Sequence, residues 1–66
     1  MISQEEITAK ADHINSMPFA MKYGVISDFL DMVEGGNPDG IRDEYYSDWT
    51  TEELSKVLSL VDHKDT

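Results

Sequence analysis

The chain has 66 residues, no cysteine and a formal net charge of -9, from 14 acidic and 5 basic residues. A chain of this length buries only about 60% of its unfolded surface, and no disulfide can reinforce it. We therefore expect one small domain, residues 1–66, of modest stability. Because small secreted domains usually carry disulfides, we expect a cytoplasmic protein. The sequence shows no signal-peptide pattern and no apolar stretch long enough for a membrane span.

The first predicted helix begins after Ser3. Ser3 and Glu6 have the spacing of a capping box, in which each residue bonds to the backbone of the other. Ile7, Ala11 and Ile14 then recur at helical spacing, which predicts a single apolar stripe along this helix.

The second predicted helix spans about 18–34, with proline suited to its first turn, and has a broad apolar face. That face comprises Phe19, Met21, Tyr23, Val25, Ile26, Phe29, Leu30, Met32 and Val33. A face this broad is typical of the central helix of a bundle, packed on more than one neighbour. Gly24 lies within the helix, so we expect either a closely crossing neighbour or a bend there.

Gly35 and Gly36 predict the C-terminal end of the second helix, followed by a loop. Ile41, Tyr45 and Trp49 lie four residues apart, which predicts a short helix with these three side chains in the core. Tyr46 would then lie off this face and be exposed.

Thr50 and Glu53 form a second capping-box pattern that opens the last helix. Its apolar residues are Leu54, Val57, Leu58 and Val61. Residues 63–66 are expected to form a frayed tail. The sequence thus predicts an all-α fold: a small three-helix bundle with an additional short acidic helix or turn between helices 2 and 3.

Most of the negative charge lies in the middle of the chain, because residues 28–53 contain nine acidic residues and one basic residue, Arg42. If the short helix joined the last helix smoothly, Glu44, Asp48 and Glu52 would form a ladder at i, i+4 spacing. A regular row of carboxylates resembles the anionic backbone of a nucleic acid. The candidate partner-binding residues are Asp43, Glu44, Tyr46, Asp48, Glu52, Glu53, Asp28, Asp31 and Glu34.

Several other functions are not supported by the sequence. With Gly40 at the sixth position of an EF-hand loop, Gly35 and Tyr46 would occupy positions that require acidic ligands, so we expect no calcium site. His13 and His63 lie on different elements and match no metal or catalytic motif, so we expect no enzyme, metal or cofactor. Five scattered basic residues argue against direct nucleic-acid binding.

The chain is similar in kind to small phage-encoded counter-defence and host-takeover proteins, including DNA mimics and some anti-CRISPR proteins. The similarity covers size, acidity and charge clustering, and includes no motif. It implies an inhibitor that occupies a basic, nucleic-acid-binding surface of a partner protein.

Two alternatives remain open. The acidic residues can serve solubility alone. The chain can instead be a structural or regulatory oligomerisation module, for example a homodimer, that self-associates through Met21, Val25 or Met32.

Overall fold

The computed structural model describes residues 2–62, which form four α-helices, one 3-10 helix and no strand. The elements in chain order are α1 (Gln4–Asn15), α2 (Phe19–Val33), the 3-10 helix (Pro38–Gly40), α3 (Ile41–Tyr45) and α4 (Thr51–Leu60). The predicted all-α class is confirmed. The tail predicted over 63–66 lies outside the described residues.

The N-terminal caps of α1 and α4 are the ones that the sequence predicts. The Ser3 hydroxyl accepts a hydrogen bond from the amide of Glu6, at 3.2 Å. The Thr50 hydroxyl likewise accepts from the amide of Glu53, and the Glu53 carboxylate accepts from the amide of Thr50 at 2.8 Å. The full capping box therefore forms at α4, whereas the contacts described for α1 include only its first half.

The two glycines end α2 in a Schellman motif. Gly35 has a φ of 98°, in the left-handed region, and its amide donates to the carbonyl of Met32. The amide of Gly36 donates to the carbonyl of Asp31 at 2.7 Å. These bonds satisfy carbonyls that the end of the helix would leave unpaired, which explains why α2 ends where the sequence predicts.

Helix α4 packs against both α1 and α2, which pack less against each other. Two long-range sets of hydrogen bonds join α1 and α4 at their ends. The amide of Ile2 donates to the carboxylate of Glu53 at 2.8 Å. At the other end, the Asn15 amide group donates to the carbonyl of Leu60, and its oxygen accepts from the amide of Asp62. The first hydrogen bond joins the N-terminal ends of the two helices and the others join their C-terminal ends, so α1 and α4 run parallel.

The core contains residues from α1, α2, α4 and the turn before α4. Its buried members are Ile7, Ala11, Ile14, Phe29, Met32, Trp49, Leu54, Val57, Leu58 and Val61. Four of α4's ten residues are buried, and three of these are apolar: Leu54, Val57 and Leu58. The last helix therefore occupies the centre that the sequence assigned to α2.

Helix α2 packs on both α4 and α1, as its broad apolar face predicts, but only part of that face is buried. Phe29 and Met32 are in the core, but Phe19, Tyr23 and Leu30 are 42%, 64% and 47% exposed. The face spans about half of the helix circumference. Its neighbours α4 and α1 cover only the sector around Phe29, so the adjacent sector remains open.

Gly24 does not mark a close helix crossing. No heavy atom lies within 4 Å of the position that a Cβ would occupy there. Helix α2 runs through this residue without interruption. The glycine is therefore not required by packing among the described residues.

Candidate protein-binding surface

The segment between α2 and α4 starts with a turn held by Asn37. The side-chain oxygen of Asn37 accepts from the amide of Arg42 at 2.9 Å, and its amide group donates to the Asp43 carboxylate at 3.1 Å. Asp39 and Gly40 both adopt positive φ, 51° and 75°. Asparagine suits position 37 because its short side chain can form hydrogen bonds with nearby backbone groups. The turn fixes the first turn of α3.

The predicted carboxylate ladder does not form on one continuous helix. α3 ends at Tyr45, and Tyr46 adopts φ -126° and ψ 24°. Thr50 is extended, as an N-cap requires, so α4 begins a new helix. Glu44 therefore lies on α3, Asp48 in the intervening turn and Glu52 in the first turn of α4. The second capping box causes this break, because an N-cap residue is not helical.

Tyr46 attaches this segment to the core. Its ring packs edge-on against Phe29, with 5.2 Å between ring centres, and against Trp49, at 5.6 Å. The ammonium of Lys10, on α1, lies 5.4 Å from the centre of the same ring, within cation–π range. Tyr46 thus connects the acidic segment to both α1 and α2.

The predicted roles of the two adjacent tyrosines are reversed. Tyr45, expected in the core, is 67% exposed, and Tyr46, expected on the surface, is half-buried. Trp49 is buried, as predicted. The spacing from Ile41 through Tyr45 to Trp49 indicates one face only if a single helix contains all three residues. Because α3 ends after Tyr45, the helical phase does not extend to Trp49.

Two cations, Arg42 and Lys10, contact Tyr46 of this segment. The guanidinium of Arg42 donates to the carbonyl of Tyr46, which satisfies the C-terminal end of α3. The ammonium of Lys10 contacts the Tyr46 ring rather than a carboxylate. Both therefore hold the segment in place without neutralising its acidic side chains.

Four carboxylates are exposed: those of Asp43, Glu44 and Asp48 in this segment and that of Glu52 in the first turn of α4. Asp43 accepts the hydrogen bond from the turn described above. The other three make no hydrogen bond or ion pair with any residue in 2–62. We call these four residues, together with the exposed Tyr45 that follows Glu44 in the sequence, the acidic surface. The sequence reasoning missed Tyr45, whose only signal was its position beside Glu44.

Asp48 and Glu52 line one side of a surface groove. The groove has a volume of about 530 Å³ and also contacts Ile2, Gln4 and Lys56. Lys56 follows Glu52 by four residues on α4 and is the basic residue of this groove. The groove therefore extends the acidic surface to the N-terminal end of α1.

Glu53, also among the predicted partner-binding residues, lines the same groove, but its carboxylate is held by backbone amides. Its side chain is only 8% exposed, and its carboxylate accepts from the amides of Thr50 and Ile2. These backbone hydrogen bonds, first the one from Thr50 and then the one from Ile2, lower the pKa of Glu53 below its ordinary value of 4.5. Glu53 therefore joins the N-terminal ends of α1 and α4.

The other three predicted residues lie on α2 and at its C-cap. Asp31 and Glu34 are exposed, whereas Asp28 is half-buried. They follow one another at three-residue spacing, so they are neighbours along the helix. Val33, at the end of α2, lines a surface depression together with Glu52, so the C-terminal end of α2 lies near the acidic surface.

The described part of the chain offers no metal-binding arrangement. Within residues 2–62, no group of three or more His, Cys, Asp or Glu side chains is placed to hold a metal ion. In the same range, every helix is too short or too polar to cross a membrane. Comparisons with protein-family models, curated proteins and solved structures found no match to this chain.

Proposed function

We propose that this chain is a cytoplasmic inhibitor that binds a basic protein surface through its acidic surface, in the manner of a DNA mimic. One observation supports the proposal: the exposed carboxylates of Glu44, Asp48 and Glu52 have no partner in residues 2–62, on a segment anchored by Tyr46. Carboxylates that serve solubility alone need no such anchoring.

The partner that fits this surface is a protein that otherwise contacts nucleic acid. Such a protein presents lysine and arginine side chains spaced to neutralise phosphates. The exposed ring of Tyr45 adds an apolar contact among the carboxylates, and tyrosine is common at interface hot spots. Complementary charge makes association fast and sensitive to salt. Binding here would be non-catalytic and would require no cofactor.

We also propose that the three longer helices act as a bundle that holds α3 and the turn after it in a fixed arrangement. A surface that is already ordered loses little conformational entropy when it binds. The contacts of Tyr46 with Phe29 and Lys10 are the basis for this view.

The test is affinity capture from a lysate of the native host at low salt, followed by elution with salt or with double-stranded DNA. Bound proteins are identified by mass spectrometry. We expect nucleic-acid-binding proteins that elute with salt and are displaced by DNA.

The charge-reversal variant Asp43→Lys/Glu44→Lys/Asp48→Lys should capture none of them. A matched control, Glu5→Lys/Asp12→Lys/Asp31→Lys, makes the same change in net charge at exposed positions elsewhere. The control should retain substantial capture. Equal capture by the two variants would show that net charge, rather than the acidic surface, attracts the bound proteins.

A further inference from the structure

Helix α2 has an exposed apolar stripe beside its buried face. The stripe consists of the exposed residues Phe19, Tyr23 and Leu30 and of Ile26, which is half-buried against the core. The four residues fall within about 60° of the helix circumference. The rings of Phe19 and Tyr23 contact each other, with 6.0 Å between their centres. Tyr23, Ile26 and Leu30 also line a shallow depression of about 230 Å³. We call these four residues the α2 stripe.

The positions of the four residues are symmetric along the helix. Phe19 and Leu30 lie at equal distances from the midpoint between Gly24 and Val25, and so do Tyr23 and Ile26. A two-fold axis at that midpoint would place two copies of α2 antiparallel. Each residue of the stripe would then face another stripe residue, as an isologous interface requires.

Electrostatics permits two copies of this acidic chain to meet at the α2 stripe. The stripe contains no charged residue, and Asp28 and Asp31 lie more than about 100° away from its centre around the helix. Lys22, the charged residue beside the stripe, is itself 7% exposed. Asp28 and Asp31 therefore face away from the contact, whereas the exposed C-cap residue Glu34 lies about 50° from the centre of the stripe, at the end of the helix.

The exposed area of the stripe supports only a weak contact. At about 200 Å² for each aromatic side chain, the exposed parts of Phe19 and Tyr23 amount to about 200 Å². With Leu30, which is 47% exposed, and the half-buried Ile26, the stripe offers roughly 300 Å² per copy, or about 600 Å² for two. Stable specific interfaces bury at least about 1,000 Å², so the dimer should be weak and reversible.

We propose that the α2 stripe binds a second copy of this chain, with Phe19 facing Leu30 and Tyr23 facing Ile26 across a two-fold axis. The residues differ from those that the sequence suggested for self-association, because Met32 is buried in the core. The proposal does not depend on the function of the acidic surface, which lies on other elements.

Sedimentation velocity from about 10 μM to about 1 mM tests for this dimer, since a weak interface has a dissociation constant in that range. We expect a reversible monomer–dimer equilibrium. Tyr23→Glu and Leu30→Glu should each abolish it. Tyr45→Glu is the matched control, because Tyr45 and Tyr23 are almost equally exposed, and it should dimerise like the wild type. A wild type that stays monomeric at 1 mM, or a control that dissociates as fully as Tyr23→Glu, would overturn the proposal.

Disulfide trapping tests which residues of the two α2 helices face each other in the proposed dimer. It does not require a destabilising variant. In the antiparallel pair, residue 19 lies beside residue 30 of the second copy but about 16 Å along the axis from its own equivalent. That distance exceeds the reach of a disulfide. Mixed Phe19→Cys and Leu30→Cys proteins should therefore form a cross-linked heterodimer, whereas each variant alone should not cross-link. Cross-linking of the single variants alone, or no cross-linking in the mixture, would contradict the register.

The two proposals can fail independently. The variant Asp43→Lys/Glu44→Lys/Asp48→Lys should still dimerise, and Tyr23→Glu should still capture a basic partner. Loss of dimerisation in the charge-reversal variant would contradict the assignment of self-association to α2.

Discussion

The ring of Tyr46 packs edge-on against the buried ring of Phe29, with 5.2 Å between their centres. This contact joins the turn after α3 to the core side of α2. An edge-to-face pair of this kind contributes about 0.5–1.5 kcal/mol beyond the burial of area. The position of the acidic surface therefore depends on an aromatic residue within the acidic segment itself.

Replacing Tyr46 should destabilise the protein far more than replacing the adjacent Tyr45. We expect Tyr46→Ala to lower the free energy of unfolding by about 3 kcal/mol, because it removes the contacts with Phe29, Trp49 and Lys10. Tyr45→Ala is the matched control and should change it by less than about 0.5 kcal/mol, because this side chain is largely exposed. Urea denaturation measures both. Equal losses would contradict the exchanged roles of the two tyrosines.

Glu53→Gln should reduce stability at neutral pH and should matter less at low pH. The pKa of Glu53 is lowered in the folded protein by hydrogen bonds from the amides of Thr50 and Ile2. The stabilisation is therefore present above the ordinary pKa of 4.5 and is lost as the pH falls through the lowered value.

The measurement is the difference in unfolding free energy between wild type and Glu53→Gln as a function of pH. Acidification also protonates the other carboxylates and reduces their mutual repulsion in both proteins. This shared effect on the unfolding free energy cancels in the difference. We expect the difference to be constant above about pH 5 and to shrink below it. A difference that grows on acidification would contradict a lowered pKa.

Asn15→Ala should loosen the C-terminal end of α4. The Asn15 side chain donates to Leu60 and accepts from the amide of Asp62, and it is partly solvated. We expect a loss of about 1–2 kcal/mol and faster hydrogen exchange at the amide of Asp62. Ser16→Ala is the control, because its side chain bonds only to the nearby carbonyl of His13. Unchanged exchange at Asp62 in Asn15→Ala would contradict this assignment.

Two glycine-to-alanine changes should have opposite effects. Gly24→Ala should stabilise the protein by up to about 1 kcal/mol, because alanine is the better helix former and no neighbour obstructs its Cβ. Gly35→Ala should destabilise it by about 1–2 kcal/mol, because Gly35 ends α2 in the left-handed region. Thermal unfolding of both variants provides the comparison. Destabilisation by Gly24→Ala would show that this position needs a glycine.

Local signals in the sequence predicted the helices and their ends well. Ser3, Thr50 and the glycine pair at 35–36 act through hydrogen bonds to residues within five positions. The information needed to place these ends is therefore contained in a short segment of chain. The same reasoning gave the buried side of α1 and most of α4, where one apolar stripe leaves no choice of face.

The errors occurred where the sequence pattern allows either of two side chains or helix sectors to be buried, and tertiary packing decides between them. α2 has apolar residues over half of its circumference, and periodicity does not indicate which sector α4 covers. At Tyr45 and Tyr46, the buried ring was predicted wrongly because α3 ends at Tyr45 instead of continuing to Trp49. Glu53 was predicted to lie on the binding surface because sequence patterns do not reveal its hydrogen bond to Ile2, which joins residues 51 positions apart.

The most direct test of the acidic surface uses Asp43→Asn/Glu44→Gln/Asp48→Asn, which removes charge while preserving side-chain shape. The measurement is the association rate with the captured basic partner over a range of salt concentrations. We predict a rate at least about tenfold below the wild type at low salt, with a weaker dependence on salt. Wild-type rates and salt dependence in this variant would contradict recognition through the acidic surface.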